Sequence, residues 1–204
     1  MIKRMLSLLI LIPAIAAVAE SGKKPVHVDT YKVDTQNSKV EWFAARVTGK
    51  HNGTINLVSG ELHNNHGRFA GKFVMDMTSI VVTDLTGSSK TKLEGHLKSD
   101  DFFSSAKYAT SSFEITSIAP LSGVEAGKPN FTVNGKLTIK GITQDISFPA
   151  LIRFNGPSMT ATGEAVIDRT KFDIRYGSKS FFADIGDKAI FDEFKLKFDL
   201  KASM

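Results

Sequence analysis

Cysteine is absent from the chain. With it go thiol nucleophiles, disulfides and thiolate metal sites, so stability has to come from packing. Long apolar runs are nearly absent too. Beyond Met5 to Ala17, broken only by Ser7 and Pro13, no stretch approaches the about 20 residues of a membrane-spanning helix. Charge of one sign is not in large excess. The formal charge is +5, and the lysines are spread along the chain rather than gathered into a stripe, which gives no electrostatic case for nucleic acid. Repeats and low-complexity tracts are missing, as is any G-x-S-x-G elbow for serine hydrolase chemistry. The stretch Gly123 to Pro129 is one residue short of a phosphate loop and puts Pro129 where Ser or Thr is needed, so it reads as a surface turn.

The N-terminus carries an export pattern. Met1-Ile2-Lys3-Arg4 is a basic start, the apolar run follows, and Ala17-Val18-Ala19 supplies small residues at a cleavage position. Residues 1–19 are therefore expected to be a signal peptide cut before Glu20, leaving a periplasmic protein with no permanent membrane anchor. Removing Lys3 and Arg4 takes the charge from +5 to +3. Residues 20–30 read as a polar leader, and residues 31–203 as one domain of ordinary size.

Within that domain the dominant period is two. Phe194, Leu196, Phe198 and Leu200 alternate with Glu193, Lys195, Lys197 and Asp199, giving one apolar and one charged face. Phe69-Gly71-Phe73-Met75-Met77 and Ile146-Phe148-Ala150-Ile152-Phe154 repeat the pattern, with shorter runs around Trp42, Phe113 and Ile139. Asn52-Gly53, Ser59-Gly60, His66-Gly67, Asn134-Gly135, Lys140-Gly141 and Asn155-Gly156 read as tight turns between strands. Many short-linked strands predict an antiparallel eight-stranded, lipocalin-like β-barrel, because closure removes exposed sheet edges. One segment, Leu93 to Tyr108, lacks alternation. Ser99-Asp100-Asp101 resembles a helix start, which predicts a short helix laying Phe102 and Phe103 against the barrel.

Titratable groups give no constellation. His63 and His66 lie in an Asn-rich turn and read as solvated. His51 and His96 have no visible partner. Asp168 and Arg169 are adjacent on a strand and point to opposite faces, so either Asp168 faces outward with Arg169 reaching a loop carbonyl, or one of the two points into the barrel mouth. The fifteen Phe, three Tyr and one Trp sit largely at alternating positions. An eight-stranded barrel holds either filler side chains or one ligand. Alternation alone leaves both open.

Several blocks resemble the YceI-like family of polyisoprenoid-binding periplasmic proteins with a lipocalin-like barrel. They include Tyr31-Lys32-Val33-Asp34, Ser38-Lys39-Val40-Glu41-Trp42, Val47 to Gly53, Gly60-Glu61-Leu62 and Phe73 to Ile80. Gly95-His96-Leu97-Lys98-Ser99-Asp100-Asp101-Phe102-Phe103, Gly135 to Thr143 and Ile167-Asp168-Arg169-Thr170-Lys171-Phe172 complete the set. Departures stand at Leu93-Glu94, Ala109 and Asp173, where many relatives have Arg-Asp, Pro and Gly.

The resemblance implies a non-enzymatic carrier that holds a polyprenyl phosphate or an isoprenoid quinone, with no cofactor besides that lipid. Each isoprene unit buried contributes roughly 3–4 kcal/mol gross, against roughly 1–3 for one polar head contact, so the tail supplies affinity and the head selectivity. Alternation then nominates Trp42, Phe73, Met75, Phe113, Phe148, Phe194 and Leu196 as cavity-lining residues. His96, Lys98 and Arg169 are the candidates near a polar head. The competing reading is a lipid-dependent enzyme or stress factor acting on quinone chemistry, which needs a titratable pair such as His96 and Asp168 inside the barrel. A homodimer is compatible with the sequence.

Overall fold

The alternating runs become nine antiparallel strands in a computed structural model, which describes residues 28–204. The expected signal peptide and all but the end of the 20–30 leader lie outside the described residues. Asp29 and Thr30, placed in the leader on sequence grounds, already belong to the first strand.

The strands are β1 (Asp29–Val33), β2 (Lys39–Arg46), β3 (Gly49–Asn65), β4 (Arg68–Val82), β5 (Thr110–Pro120), β6 (Phe131–Ile139), β7 (Ile142–Asn155), β8 (Ser158–Asp168) and β9 (Glu193–Ser203). From β2 to β9 each pairs with the next, and β9 returns to β2 to close the ring. The short β1 does not add a ninth position. It pairs with the far end of β3 and the C-terminal end of β9, filling the place that β2 vacates there. The result is a closed antiparallel barrel of eight positions.

Closure puts every second side chain inside. Along β9 the inward set is Phe194, Leu196, Phe198, Leu200 and Ala202, and along β4 it is Gly71, Phe73, Met75 and Met77. Three predicted turns are correct: His66-Gly67, Lys140-Gly141 and Asn155-Gly156 link consecutive strands with positive φ at the glycine. Three are not. Asn52-Gly53 and Ser59-Gly60 lie within β3, and Asn134-Gly135 within β6. At these positions a neighbouring strand's ring lies over the backbone, leaving no room for a Cβ.

One end of the barrel is filled with rings. Phe154 sits between Tyr31 and Phe69, with centroid separations of 5.4 and 5.8 Å, and Phe69 meets Phe131 edge-on at 6.4 Å. The opposite end, called upper here, carries helix α1 (Gly87–Lys98) and the segment 169–192. The helix precedes the position expected from sequence. Ser99 closes it instead of starting it, donating from both its backbone N–H and its hydroxyl to the His96 carbonyl. Beyond it the chain turns irregularly, with Ser104 at φ +47°. Phe102, Ser104 and Ser105 are all buried, whereas on a helix Ser104 would point away from the face shared by Phe102 and Ser105. Ser105 is held by its hydroxyl bond to the Met77 carbonyl, 3.0 Å. Glu94 fixes the helix by accepting the Val82 N–H at 2.8 Å, and Leu93 and Leu97 pack on the core.

Candidate functional site

The interior is hollow. A lower chamber of about 840 Å³ of atom-free space, openings included, is lined by Phe73, Met75, Phe113, Phe148, Leu196 and apolar neighbours from all the principal strands. An upper chamber of about 800 Å³ is lined by Trp42, Met75, Met77, Phe103, Phe194 and Leu196, among others. Met75, Leu137 and Leu196 border both chambers and form a waist between them. Strand β9 follows the whole length: Phe194 lines the upper chamber, Leu196 both, Phe198 and Leu200 the lower. That run spans about 20 Å along the strand. The shape suits one elongated apolar occupant.

The rings do not fuse into a solid plug at this level. Phe148 touches Phe113 and Phe198 at centroid separations of 5.4 and 5.6 Å along the wall, and Phe103 meets Phe194 at 6.3 Å in the upper chamber. Leu57, Ile146, Leu196 and Phe198 face inward yet are only half-buried, as expected for side chains bordering a void. Small residues make that room: Ala150, Ala161 and Ala165 line the lower chamber, and Ala44 the upper. The upper chamber reaches the surface beside Phe191, which lines it while remaining 53% exposed.

All seven apolar residues nominated from sequence border the hollow: Phe73, Phe113 and Phe148 below, Trp42 and Phe194 above, Met75 and Leu196 at the waist. The three polar nominees divide differently. His96 lines neither chamber; its Nε2 lies 3.0 Å from Asp101 Oδ2, and its ring packs edge-on against Phe102 and Tyr176. Lys98 also lies outside the lining, where its charge helps hold the Asp76 carboxyl below its ordinary range, after the larger effect of the Thr78 hydroxyl. Both follow from helix α1 ending at Lys98, which leaves their side chains outside the barrel. Asp168 accepts the Thr170 N–H and hydroxyl, so it does not meet His96.

Arg169 does border the upper chamber and is only 4% exposed. It sits in a short 3₁₀ turn, Arg169–Phe172, just past β8. Nε donates to the Phe191 carbonyl, Nη1 to those of Ile174 and Tyr176, and Nη2 to that of Ile190 and to Asp192 Oδ1. A guanidinium has five N–H donors, and here all are committed. Burial pulls its pKa down while Asp192 and Asp168 oppose that pull. Burial likewise works against the ionised Asp192, but hydrogen bonds from Ser178 and Ser180 and the Arg169 charge hold its carboxyl below the ordinary range. The group organises the loop at the mouth; it does not present a free cation to the hollow.

Sequence reasoning missed Ile190 and Phe191, which close one side of the upper chamber. The available signal was the apolar Ala189-Ile190-Phe191 between Asp187 and Asp192, too short to show periodicity.

The chain and its barrel have relatives. The YceI-like domain model matches residues 31–202. The chain belongs to the YceI-like family. Among curated proteins, a UPF0312 protein of Vibrio parahaemolyticus is 26% identical over 141 residues, covering 65% of this chain and 69% of its own. A UPF0312 protein of Shewanella putrefaciens is 26% identical over 153 residues, covering 72% of each. Among solved structures, Burkholderia cenocepacia BcnA superposes with a TM-score of 0.64 at 25% identity, covering 84% of this chain and 99% of its own. A polyisoprenoid binding domain from Saccharophagus degradans, implicated in plant cell wall breakdown, gives 0.61 at 15% identity, covering 87% and 99%. The last likeness speaks to the YceI-like fold alone.

Proposed function

We propose that this YceI-like protein is an exported, periplasmic carrier that sequesters one long-chain isoprenoid-type lipid, a polyprenyl phosphate or an isoprenoid quinone, inside the barrel. The observation that carries the reading is the pair of adjoining apolar chambers that share Met75, Leu137 and Leu196 in their walls. A hollow lined this way is a poor site for polar substrates and a good one for a tail whose every methylene adds about 0.8 kcal/mol on burial. Membership of the YceI-like family supports it, as does the likeness in fold to a domain described as polyisoprenoid-binding. Carriage is preferred to catalysis because His96 and Asp168, the pair that quinone chemistry would have used, are each engaged elsewhere.

The test is to fill the hollow. Ala165 lines the lower chamber opposite Leu196 on β9. Ala165→Phe should lower the affinity for ubiquinone or undecaprenyl phosphate by at least about tenfold, a difference of about 1.4 kcal/mol, with the barrel's circular dichroism unchanged. Equal uptake by the folded variant and the natural chain would count against the chambers as the lipid site.

A further inference from the structure

The mouth segment exposes more ring surface than the fold uses. Among the described residues six Phe and Tyr side chains stand exposed, and four of them, Tyr176, Phe181, Phe182 and Phe191, fall between 176 and 191. Phe181 and Phe182, 44% and 49% exposed, line neither chamber and take no part in the core. The backbone holds them there. The Ile190 N–H donates to the Gly177 carbonyl and the Ser180 hydroxyl to Asp192, so the 180–182 tip lies alongside Phe191. The β2–β3 hairpin joins the same surface. The Phe191 N–H donates to the Ala45 carbonyl, and the N–H of the exposed Val47 to that of Ala189. The rings and Val47 thus form one apolar rim beside the place where the upper chamber reaches the surface. Exposed apolar patches of this kind mark contact with a protein or a membrane.

The charges around the rim choose between them. Within the mouth segment Asp173 is paired with Arg175, and Asp192 with Arg169. Lys171, Lys179 and Lys188, with Arg46 and Lys50 on the hairpin, have no ion-pair partner among the described residues, and Asp184 and Asp187 alone stand against them there. The Arg175 guanidinium lies 4.8 Å from the centre of the Phe181 ring, so cation and ring share one surface. An apolar rim with an uncommitted cationic fringe complements anionic headgroups lying over acyl chains. The cargo gives the same answer. An isoprenoid tail is too costly to carry through water to the mouth. A protein seated on the rim would seal a chamber that a bilayer can load directly.

From this we propose that the rim formed by Val47, Phe181, Phe182 and Phe191 docks into the surface of an anionic lipid bilayer, with the mouth of the upper chamber turned toward the acyl chains. The inference rests on the carrier reading, which supplies the reason for the mouth to meet a bilayer. Docking is reversible, since the rim is short and no helix of the described residues is long and apolar enough to cross a membrane.

The test is flotation with vesicles of mixed phosphatidylethanolamine and phosphatidylglycerol, and with vesicles of phosphatidylcholine alone. The natural chain should float with the anionic vesicles and bind the neutral ones at least about tenfold more weakly, with high salt removing most of that difference. The double variant Phe181→Ser, Phe182→Ser should lose at least about tenfold in affinity for the anionic vesicles with an unchanged thermal melt. It should also draw ubiquinone from those vesicles at least about tenfold more slowly than the natural chain, while taking it up equally well from detergent solution. A natural chain that ignores both kinds of vesicle, yet takes up ubiquinone from detergent, overturns the inference and leaves the carrier reading intact. Equal vesicle binding by the double variant overturns it too, since the contact then lies elsewhere. So does a natural chain that sediments as a dimer without binding vesicles and becomes a monomer in the variant, because the rim would then be covered by a second copy. Rim-dependent vesicle binding without ubiquinone uptake from either source supports docking and strikes the carrier reading instead.

Discussion

Trp42, Phe73, Phe113 and Phe198 each lie against a glycine of a neighbouring strand: Gly53, Gly60, Gly135 and Gly163. Three of these are direct cross-strand pairs, and Phe113 reaches Gly135 diagonally. A glycine inside a strand weakens it unless something uses the missing side chain, and here a ring does. At Gly135 a Cβ would stand 2.5 Å from the Phe113 ring and 2.5 Å from the Glu114 carbonyl. Gly135→Ala should therefore destabilise the barrel by about 1–3 kcal/mol, lowering Tm by roughly 3–10 °C in a thermal melt. An unchanged Tm would mean the ring is free to move aside.

The same residues explain why turns were misread. Asn52-Gly53 and Asn134-Gly135 have the composition of hairpin turns, and composition is local. Whether such a glycine bends the chain or beds a ring is decided by the residue across the sheet, which is distant in sequence. Alternation, by contrast, is local and sufficient. It placed Phe73, Met75, Phe113, Phe148, Phe194 and Leu196 on the inner face without any knowledge of strand order.

Among the elements, the segment 169–192 is the one that shapes the mouth. It has no strand of its own to hold it. Arg169 ties it down through carbonyls at 174, 176, 190 and 191 and through Asp192. Asp173 follows at φ +57°, a left-handed position that favours glycine, and its carboxylate pairs with Arg175 at 2.6 Å. Because folding lowers the pKa of Asp192, its contribution to stability is complete above the ordinary carboxylate value, about 3.9, and fades as pH falls through the lowered one. The stability lost in Asp192→Asn should accordingly be constant from neutral pH down to about pH 4 and shrink below it. Denaturant unfolding across that range measures it; a gap that widened on acidification would contradict the sign.

The helix was harder to read because its own start carries little signal. Thr86 makes no side-chain cap, and the first turn of α1 holds no acid. Ser99-Asp100-Asp101, which looks like a start, stands at its end. His96 and Lys98 moved outside the barrel for this reason, since the error in the element carried its side chains with it. Arg169 could be placed near the mouth from sequence, but the carbonyls that consume its donors come from a loop with no periodicity.

For the whole molecule, the balance lies between packing and the hollow. Rings close the end at Phe69, Phe131 and Phe154, and walls of alternating side chains enclose the rest. Leaving two chambers unfilled sacrifices dispersion contacts that a solid core would make, and a bound tail would restore them. Anything that binds the folded state alone also stabilises it by mass action, so cargo and fold are coupled. The most direct measurement is native mass spectrometry of protein prepared without detergent, before and after incubation with ubiquinone or undecaprenyl phosphate. The carrier account predicts a species heavier than the chain by the mass of one isoprenoid lipid, released only when the barrel unfolds. A spectrum holding the bare chain alone, before and after incubation, would contradict it.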